Sequence, residues 1–306
     1  MTKWVSDATA NGTVIMSASD QLIFTHSDQK HGRFGVRCLS NTSDVYSHNA
    51  WDDVEWSEEM KDEASKLIAD NTKNKLSLEM QEHYEAGASD YWDKFYNQHD
   101  NKFFKDRSWL HTEFPELFSD KSNFISFYHI DARRNHHYSR GWLWSREYDF
   151  PYIASYTKST EYDSSRCQAF VFDVTKTDTE LPFPSNSLDF VIMIFVLSAI
   201  SPVLFQSVLR NLTAYLKPGG MLLFRDYGRY DMAQLRFKKG KCLAENFYLR
   251  ADGTRVYFFE QKELKQLFED IGLIEVQNKI DRRLLVNRKR KLKMYRVWIQ
   301  CKYIKQ

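Results

Sequence analysis

The sequence is poor in residues that turn, stiffen or cross-link a chain. It has 11 glycines, 6 prolines and 4 cysteines in 306 residues. The cysteines form no C-x-x-C pair, which argues against a zinc ribbon or a disulfide scaffold and favours a reducing compartment. No apolar run reaches the roughly 18 residues that a membrane span needs, and residues 1–30 fit neither a secretory signal nor an Arg-rich presequence. These absences predict a cytoplasmic protein with no membrane span and no metal centre.

Charge is nearly balanced overall but unevenly placed. The net charge is +2. Residues 51–70 hold eight acids and two lysines, whereas residues 281–306 hold ten Lys or Arg and one acid. This asymmetry favours a basic face that binds a polyanion, although a solvated edge strand whose lysines oppose aggregation is the alternative.

The patterning divides the chain into four parts. Residues 1–30 are polar and are predicted to be disordered. Residues 31–118 predict a helical, aromatic-rich N-terminal region. Residues 119–160 form an aberrant segment that contains a single glycine, Gly141. Residues 161–306 alternate between strands and helices and form the main domain.

Local signals place the elements within these parts. In the N-terminal region, helices are expected over residues 58–82, with Ser57 as the N-cap, and over residues 88–98. In the main domain, we expect strands over 169–172, 188–197, 221–224 and 295–303, helices over 202–216 and 260–271, and a turn at 217–220. The run at 188–197 is nearly continuous in apolar residues, as in a strand buried on both faces.

This order of elements predicts an α/β fold with an open, mostly parallel sheet and an antiparallel edge. Ligands bind such sheets at the carboxyl ends of the strands. Asp173 and Ile194 each stand near the end of a predicted strand. Both are therefore candidates for a binding site.

A series of longer strings points to one family. In chain order they are HNAWDDVEW (48–56), YWDKFY (91–96), FFKDR (103–107), EFPEL (113–117), IFVLS (194–198), FRDYGRYD (224–231), LRF (235–237), ENFY (245–248), DGTR (252–255), YFF (257–259) and RVWIQ (296–300). Together they resemble the methyltransferases that form 3-methylcytidine in tRNA anticodon loops. The first string favours the branch that acts on threonine and arginine tRNAs.

The resemblance implies a class I, Rossmann-like methyltransferase sheet with a helical N-terminal extension that lies over the cofactor and the tRNA. The implied cofactor is S-adenosylmethionine, and the implied cofactor contacts are Trp92, Tyr96, Asp173 and Ile194. In the family, an acid at a strand end accepts the adenine amino group and aromatic residues close over the cofactor. Without the resemblance, Trp92 and Tyr96 are better explained as one buried face of a helix, since they stand four residues apart.

One family feature is missing. The resemblance predicts a strand followed by Glu-x-Gly-x-Gly-x-Gly and a helix, because glycines let the backbone approach the cofactor closely. Residues 138–153 match neither a strand nor a glycine loop. Tryptophan has the single codon TGG, however, and reading one base later turns Trp142 and Trp144 into glycines. With permitted codons, the shifted frame of residues 138–153 spells ILEVGCGVGNTIFPIL, which is the missing motif. We therefore interpret this segment as frameshifted and the first βα unit as incomplete.

The expected chemistry needs little acid–base assistance. Neutral cytidine carries a lone pair and no proton at N3, so alignment is the main requirement, and the base must leave its stack. Catalytic residues are not identified by the sequence. Asp226, Tyr227, Arg229 and Tyr230 are candidates to shape the base pocket, although Arg225 and Asp226 are equally well read as a structural ion pair.

The predicted tRNA contacts are basic residues, each of which has an ordinary solvated cation as its alternative. They are Lys105, Arg107, Arg229, Arg236, Lys238, Lys239, Arg282, Arg283, Arg288, Lys289, Arg290 and Lys291. Three functions stay open: a tRNA methyltransferase, an inactive relative that binds tRNA or protein, and a methyltransferase of another substrate. The family strings favour the first. An accessory protein or an aminoacyl-tRNA synthetase is a further conceivable partner.

Overall fold

The structure is a computed structural model that describes residues 14–16, 22–24, 37–99, 110–118, 123–128, 139–145, 167–176 and 181–306. A mixed sheet of eight strands dominates it. The strands of this sheet are β3 (Ala50–Asp52), β4 (Asn123–Tyr128), β5 (Ser139–Ser145), β6 (Cys167–Phe172), β7 (Leu188–Ile194), β8 (Leu216–Tyr227), β12 (Leu273–Asn287) and β13 (Leu292–Lys305). Their order across the sheet is β3-β12-β13-β8-β7-β4-β5-β6.

Strand β7 lies at the centre because both of its faces are apolar. It pairs in parallel with β8 on one side and with β4 on the other. Val191 and Met193 join one core cluster, whereas Ile192 and Ile194 join a second cluster on the opposite face. The predicted strand over 188–197 is confirmed up to Ile194. It stops there because Phe195 takes a left-handed backbone conformation, with φ of 57°.

The helices follow the predicted positions with two changes. They are α1 (Glu58–Thr72), α2 (Leu78–Ala86), α3 (Ala88–His99), α4 (Leu110–Glu113), α5 (Phe205–Thr213), α6 (Met232–Leu235) and α7 (Gln261–Glu269). The single helix expected over 58–82 is wrong, since it breaks at residues 73–77 and Ser77 caps a new helix. The helix expected over 202–216 is shorter, and the turn predicted at 217–220 begins strand β8.

The antiparallel edge is confirmed by β12 and β13, which form a long hairpin. Strand β13 also pairs antiparallel with β8, from Met221 to Tyr227. A second, small sheet of β9 (Cys242–Ala244), β10 (Phe247–Leu249) and β11 (Arg255–Tyr257) follows α6.

The other edge departs from an all-parallel arrangement. Strand β5 lies between β4 and β6 and runs antiparallel to both. Residues 139–145 were expected to match no strand, and this part of the expectation is wrong. Ten residues separate β4 from β5, which is near the lower limit for a parallel crossover with a helix but ample for an antiparallel return.

The first 30 residues also contain more regular structure than their composition predicts. Strands β1 (Val14–Met16) and β2 (Leu22–Phe24) form an antiparallel pair. Both strands are short runs of apolar residues within a polar segment, which is a pattern that composition over a wider window obscures.

Buried charge ties the N-terminal region to the sheet. The guanidinium of Arg225 on β8 pairs with Asp281 on β12, and the two side chains are 6% and 1% exposed. Arg283 also contacts Asp281, at 3.1 Å, and lies 3.8 Å from Glu113 of α4. Glu113 in turn pairs with Lys279 at 2.9 Å. Burial acts to raise the pKa of Glu113, but Lys279 beside it holds that pKa below its usual range. Each charge in this network is therefore balanced by another member, and removing one member leaves an unpaired charge in the interior.

Replacing Asp281 with alanine tests this network. The change removes the carboxylate that both Arg225 and Arg283 contact and leaves two guanidinium groups in a nearly closed site. Breaking a buried pair in this way costs about 3–5 kcal/mol, so chemical denaturation should show a much lower midpoint. The matched control is Glu269→Ala, which removes an exposed partner of Lys265 and should leave the midpoint almost unchanged. Equal midpoints for the two variants would contradict the assigned role.

Candidate functional site

The candidate site lies at the carboxyl ends of β7 and β8, which are adjacent and parallel. Ile194 ends β7, and Arg225, Asp226 and Tyr227 end β8. Residues that follow one another in a strand point to opposite faces. Arg225 accordingly reaches Asp281, whereas Asp226 turns to the other face. The alternative reading of Arg225 and Asp226 as an ion pair is therefore wrong.

Asp226 joins the ends of the two strands. One carboxylate oxygen accepts a hydrogen bond from the backbone N–H of Ser198, at 2.9 Å, and the other accepts one from Tyr227, at 2.8 Å. The side chain is completely buried. Burial raises the pKa of the Asp226 carboxyl to about 7, against the two hydrogen bonds and the charge of Arg250, which favour the ionised form. Because its side chain has no exposed surface, Asp226 does not contact a substrate directly. It fixes the positions of Ser198 and Tyr227 at the edge of the site.

The raised pKa of Asp226 gives a pH dependence that can be measured. The native state holds this proton more tightly than the unfolded chain, whose aspartate has a pKa of 3.8. Ionisation of Asp226 therefore lowers the stability of the fold progressively as the pH rises from about 4 to about 7. Asp226→Asn should make the free energy of unfolding fall less between pH 5 and pH 8, by an amount on the order of 2 kcal/mol. The same fall with pH in both proteins would contradict this role.

Aromatic and cationic side chains connect α3 to the ends of the strands. The guanidinium of Arg250 lies 5.9 Å from the centre of the Trp92 ring and 5.7 Å from that of Tyr227. Tyr227 contacts Phe195 with ring centres 4.9 Å apart. The structure thus brings Trp92 to the site by way of Arg250 and Tyr227. Tyr96 also lies in α3, but its side chain is outside the described part.

Arg250 and Phe195 are site residues that the sequence did not single out as contacts. Arg250 stands in a loop between two short strands, where its position depends on tertiary packing. Phe195 was visible as part of the IFVLS string, but its left-handed backbone conformation was not. Such a conformation costs a bulky residue on the order of 1–3 kcal/mol and is enriched at functional sites.

Asp173 lies apart from these residues. It follows β6, which is three strands away from β7, or about 14 Å at the usual spacing between strands. Its carboxylate accepts hydrogen bonds from the backbone N–H of Thr175 at 3.0 Å and from the hydroxyl of Thr175 at 2.6 Å. The side chain is buried. These contacts close a local turn at the end of β6.

The resemblance implies that Ile194 packs on the adenine ring, but its side chain is already buried in the core. It is 2% exposed and belongs to a cluster that includes Leu110, Phe114 and Phe190. The α4 segment therefore packs on the same face as Ile194. No contact between Asp173, Ile194 and Trp92 is found among the described residues, so their joint role as a cofactor site stays a prediction.

The basic candidates fall into three groups. Arg288, Lys289, Arg290 and Lys291 form the exposed tip of the β12–β13 hairpin, where the Lys291 ammonium lies 4.6 Å from the centre of the Tyr46 ring. Arg236, Lys238 and Lys239 are exposed after α6, and Lys239 pairs with Asp70. Arg229 and Arg282 line a cavity beside Trp56.

Of the remaining three candidates, one is enclosed in the sheet and two lie outside the described residues. Arg283 is 14% exposed and is held by Asp281, Asp52 and Glu113, so its charge is already neutralised within the sheet. Its assignment as a phosphate contact is not supported by this geometry. Lys105 and Arg107 lie outside the described residues.

Two negative searches complete the description. Within the described ranges, no helix is long and apolar enough to cross a membrane. The same ranges contain no group of three or more His, Cys, Asp or Glu side chains that could hold a metal ion.

The sequence that forms this parallel strand pair and the beginning of the first strand of the antiparallel hairpin matches a known family. The family described as "Methyltransferase domain" matches residues 114–278, more than half of the chain. The protein is therefore a methyltransferase of the α/β class with a Rossmann-like sheet.

Full-length relatives define the family further. The chain is 46% identical to the tRNA N(3)-cytidine methyltransferase METTL2 of Xenopus tropicalis, over 90% of this chain and 95% of that protein. It is 44% identical to the tRNA N(3)-methylcytidine methyltransferase Mettl2 of Drosophila melanogaster, over 94% and 93%. It is 39% identical to the tRNA(Thr) (cytosine(32)-N(3))-methyltransferase of Saccharomyces cerevisiae, over 88% of this chain and 45% of that protein. The chain belongs to the tRNA N(3)-cytidine methyltransferase family.

The methyl donor of this family is S-adenosylmethionine, and the residues present fit it in part. For the adenine end, the chain has an acid at a strand end, Asp173, and an aromatic residue on α3, Trp92, but no contact joins them among the described residues. The methionine end requires a glycine turn after the strand that pairs in parallel with β7. That strand is β4, and every position from 129 to 140 carries a side chain. The first glycine, Gly141, lies inside β5, paired with Phe127. The residues present therefore do not fit the methionine end.

Proposed function

We propose that this protein methylates N3 of a cytidine in the anticodon loop of tRNA, with S-adenosylmethionine as methyl donor. The near full-length relationship to tRNA N(3)-cytidine methyltransferases carries this conclusion. The relative that acts on threonine tRNA at cytosine 32 supports the anticodon loop and the threonine and arginine branch as the more specific substrate.

The site suits a reaction that needs alignment rather than a base. Because N3 of neutral cytidine has a lone pair and no proton, no side chain has to remove one. Asp226 is the acid at the centre of the site, and it is enclosed by Ser198 and Tyr227. We assign it to positioning. Arg250 and Tyr227 are the groups at this edge that can contact a base which has left its stack.

The hairpin tip supports the proposal for tRNA. Four consecutive cations at residues 288–291 are exposed on the turn between β12 and β13. Arg288 donates a hydrogen bond to the carbonyl of Ser47, and Tyr46 packs against Lys291, so the tip is fixed on the N-terminal region. A fixed cluster of cations suits the phosphates of a folded RNA.

A second candidate is a tRNA-binding protein that transfers no methyl group. One observation favours it, namely the misfit between residues 129–140 and the methionine end of the donor. An accessory protein or aminoacyl-tRNA synthetase as partner, and a cytoplasmic location, remain predictions from the resemblance and from the composition.

The two candidates differ in methyl transfer to tRNA. We would compare this chain with a version in which residues 138–153 read ILEVGCGVGNTIFPIL, using threonine tRNA and labelled S-adenosylmethionine, and identify the product by nucleoside mass spectrometry. The proposal predicts 3-methylcytidine from both proteins, with more from the second. Product from the second protein alone would assign the activity to the family and not to this chain. The absence of 3-methylcytidine in both, with tRNA binding intact, would favour the second candidate.

The contribution of the hairpin tip can be measured separately. Arg290→Ala should weaken tRNA binding severalfold at moderate salt and lower the slope of log affinity against log salt by about 1, because one phosphate contact is lost. The matched control is Lys217→Ala, which removes one cation at the opposite end of β8, where it pairs with Asp189. An equal loss of affinity in both variants would argue against a localised phosphate site.

A further inference from the structure

A cavity of about 290 Å³ opens beside the candidate site and is not explained by methyl transfer. It begins where β8 ends, at Gly228, Arg229 and Tyr230, and continues along β12 and β13 to the N-terminus of α7. Asp226 and Tyr227 of the candidate site immediately precede Gly228 in the chain. The cavity therefore begins directly after the end of β8, where the candidate site lies.

Two aromatic rings form one wall of the cavity. Trp56 and Tyr230 have ring centres 6.1 Å apart, and Trp56 also contacts Tyr295 edge to face at 5.6 Å. Trp56 is partly exposed, and it borders a second cavity of about 250 Å³ on its other side. A tryptophan that stands between two openings offers the face of its ring to a planar ligand.

Tyr230 is held rigidly in place. Its backbone has φ of 69°, a conformation that is rare for a tyrosine. Its N–H donates to Oε1 of Gln234 at 2.7 Å, its hydroxyl lies 3.1 Å from that of Ser65, and Gln234 is fully buried. The aromatic wall is thus set before a ligand arrives.

The charges around the cavity favour an anion. Lys61, Arg229, Lys262 and Arg282 line it, together with the acid Glu260. Arg229 pairs with Glu260, and Lys61 pairs with Glu58. Within the described part of the chain, Lys262 and Arg282 have no ion pair. The floor is apolar and includes Ile280, Val297 and Ile299. An aromatic wall, an apolar floor and two cations without counter-charge match a planar base attached to a phosphate.

We infer that this cavity binds one unpaired nucleotide of the RNA, next to the target cytidine, with its base on Trp56 and its phosphate at Arg282 and Lys262. The inference rests on the proposed function, because it assumes an RNA substrate. Bases that stack on aromatic side chains are recognised with little regard to sequence. The cavity thus selects an open loop over a duplex.

The test compares two RNAs, an anticodon stem-loop and a duplex of the same length and charge. Trp56→Ala should weaken binding of the stem-loop by about 5- to 100-fold, the range for one stacked base, and leave binding of the duplex unchanged. Trp56→Phe, which keeps an aromatic ring and guards against a folding defect, should restore most of the affinity for the stem-loop.

Substitution of two lysines on α7 gives a second test, which measures the salt dependence of binding. Lys262→Ala should lower the salt dependence of stem-loop binding by about one phosphate contact. Lys265→Ala is the matched control, because Lys265 stands on the same helix, is exposed and pairs with Glu269 and Glu275 outside the cavity.

The outcomes separate this inference from the proposed function. If the unaltered protein binds and methylates tRNA but Trp56→Ala binds both RNAs as before, the inference is wrong and the proposed function stands. If Trp56→Ala weakens both RNAs equally, the residue supports the fold and the inference is again wrong. If the unaltered protein binds neither RNA, the proposed function and the inference both fail.

Discussion

The buried pair of Arg225 and Asp281 is the interaction on which the arrangement of the molecule depends. It joins β8 to β12 across β13, and Arg283 and Glu113 extend it to the N-terminal region. Trp298 of β13 lies among three arginines, with the guanidinium groups of Arg225, Arg283 and Arg296 between 5.0 and 5.9 Å from its ring centre. Burying the charges of such a sheet face costs free energy of folding unless every charge is paired. Because Glu113 belongs to α4 and its partners Lys279 and Arg283 belong to β12, these pairs join the N-terminal region to the sheet.

The two halves of the sheet differ in how well they fit a methyltransferase. From β7 to β13 the strands, helices and site agree with the family. From β4 to β6 the strands alternate in direction, and the glycine turn is missing. The frameshift interpretation accounts for both facts, since the segment that should supply the turn would be read out of frame. The proposed tRNA contacts that the structure describes lie in the half that agrees, whereas the missing glycine turn falls in the half that does not.

Much of the half that runs from β7 to β13 could be predicted from the sequence. The apolar run at Leu188 predicted the central strand, since a strand covered on both faces has no polar alternation. The family strings placed the candidate base pocket at residues 226–230, which the structure puts at the end of β8, and its role stays a prediction. The break between α1 and α2 was missed because both segments are helix-forming and the stop depends on the cap at Ser77. Nor could the sequence show that Asp226 faces Ser198 or that Arg283 is neutralised, because both depend on strand register.

This chain belongs to the tRNA N(3)-cytidine methyltransferases, but residues 129–140 offer no glycine turn for the methionine end of S-adenosylmethionine. Calorimetric titration with S-adenosylmethionine tests this most directly, on this chain and on the version with the shifted frame restored at residues 138–153. We expect both proteins to bind, with much weaker binding by this chain. Equal affinity in both would contradict this expectation, because residues 138–153 as they stand would then hold the cofactor without a glycine turn.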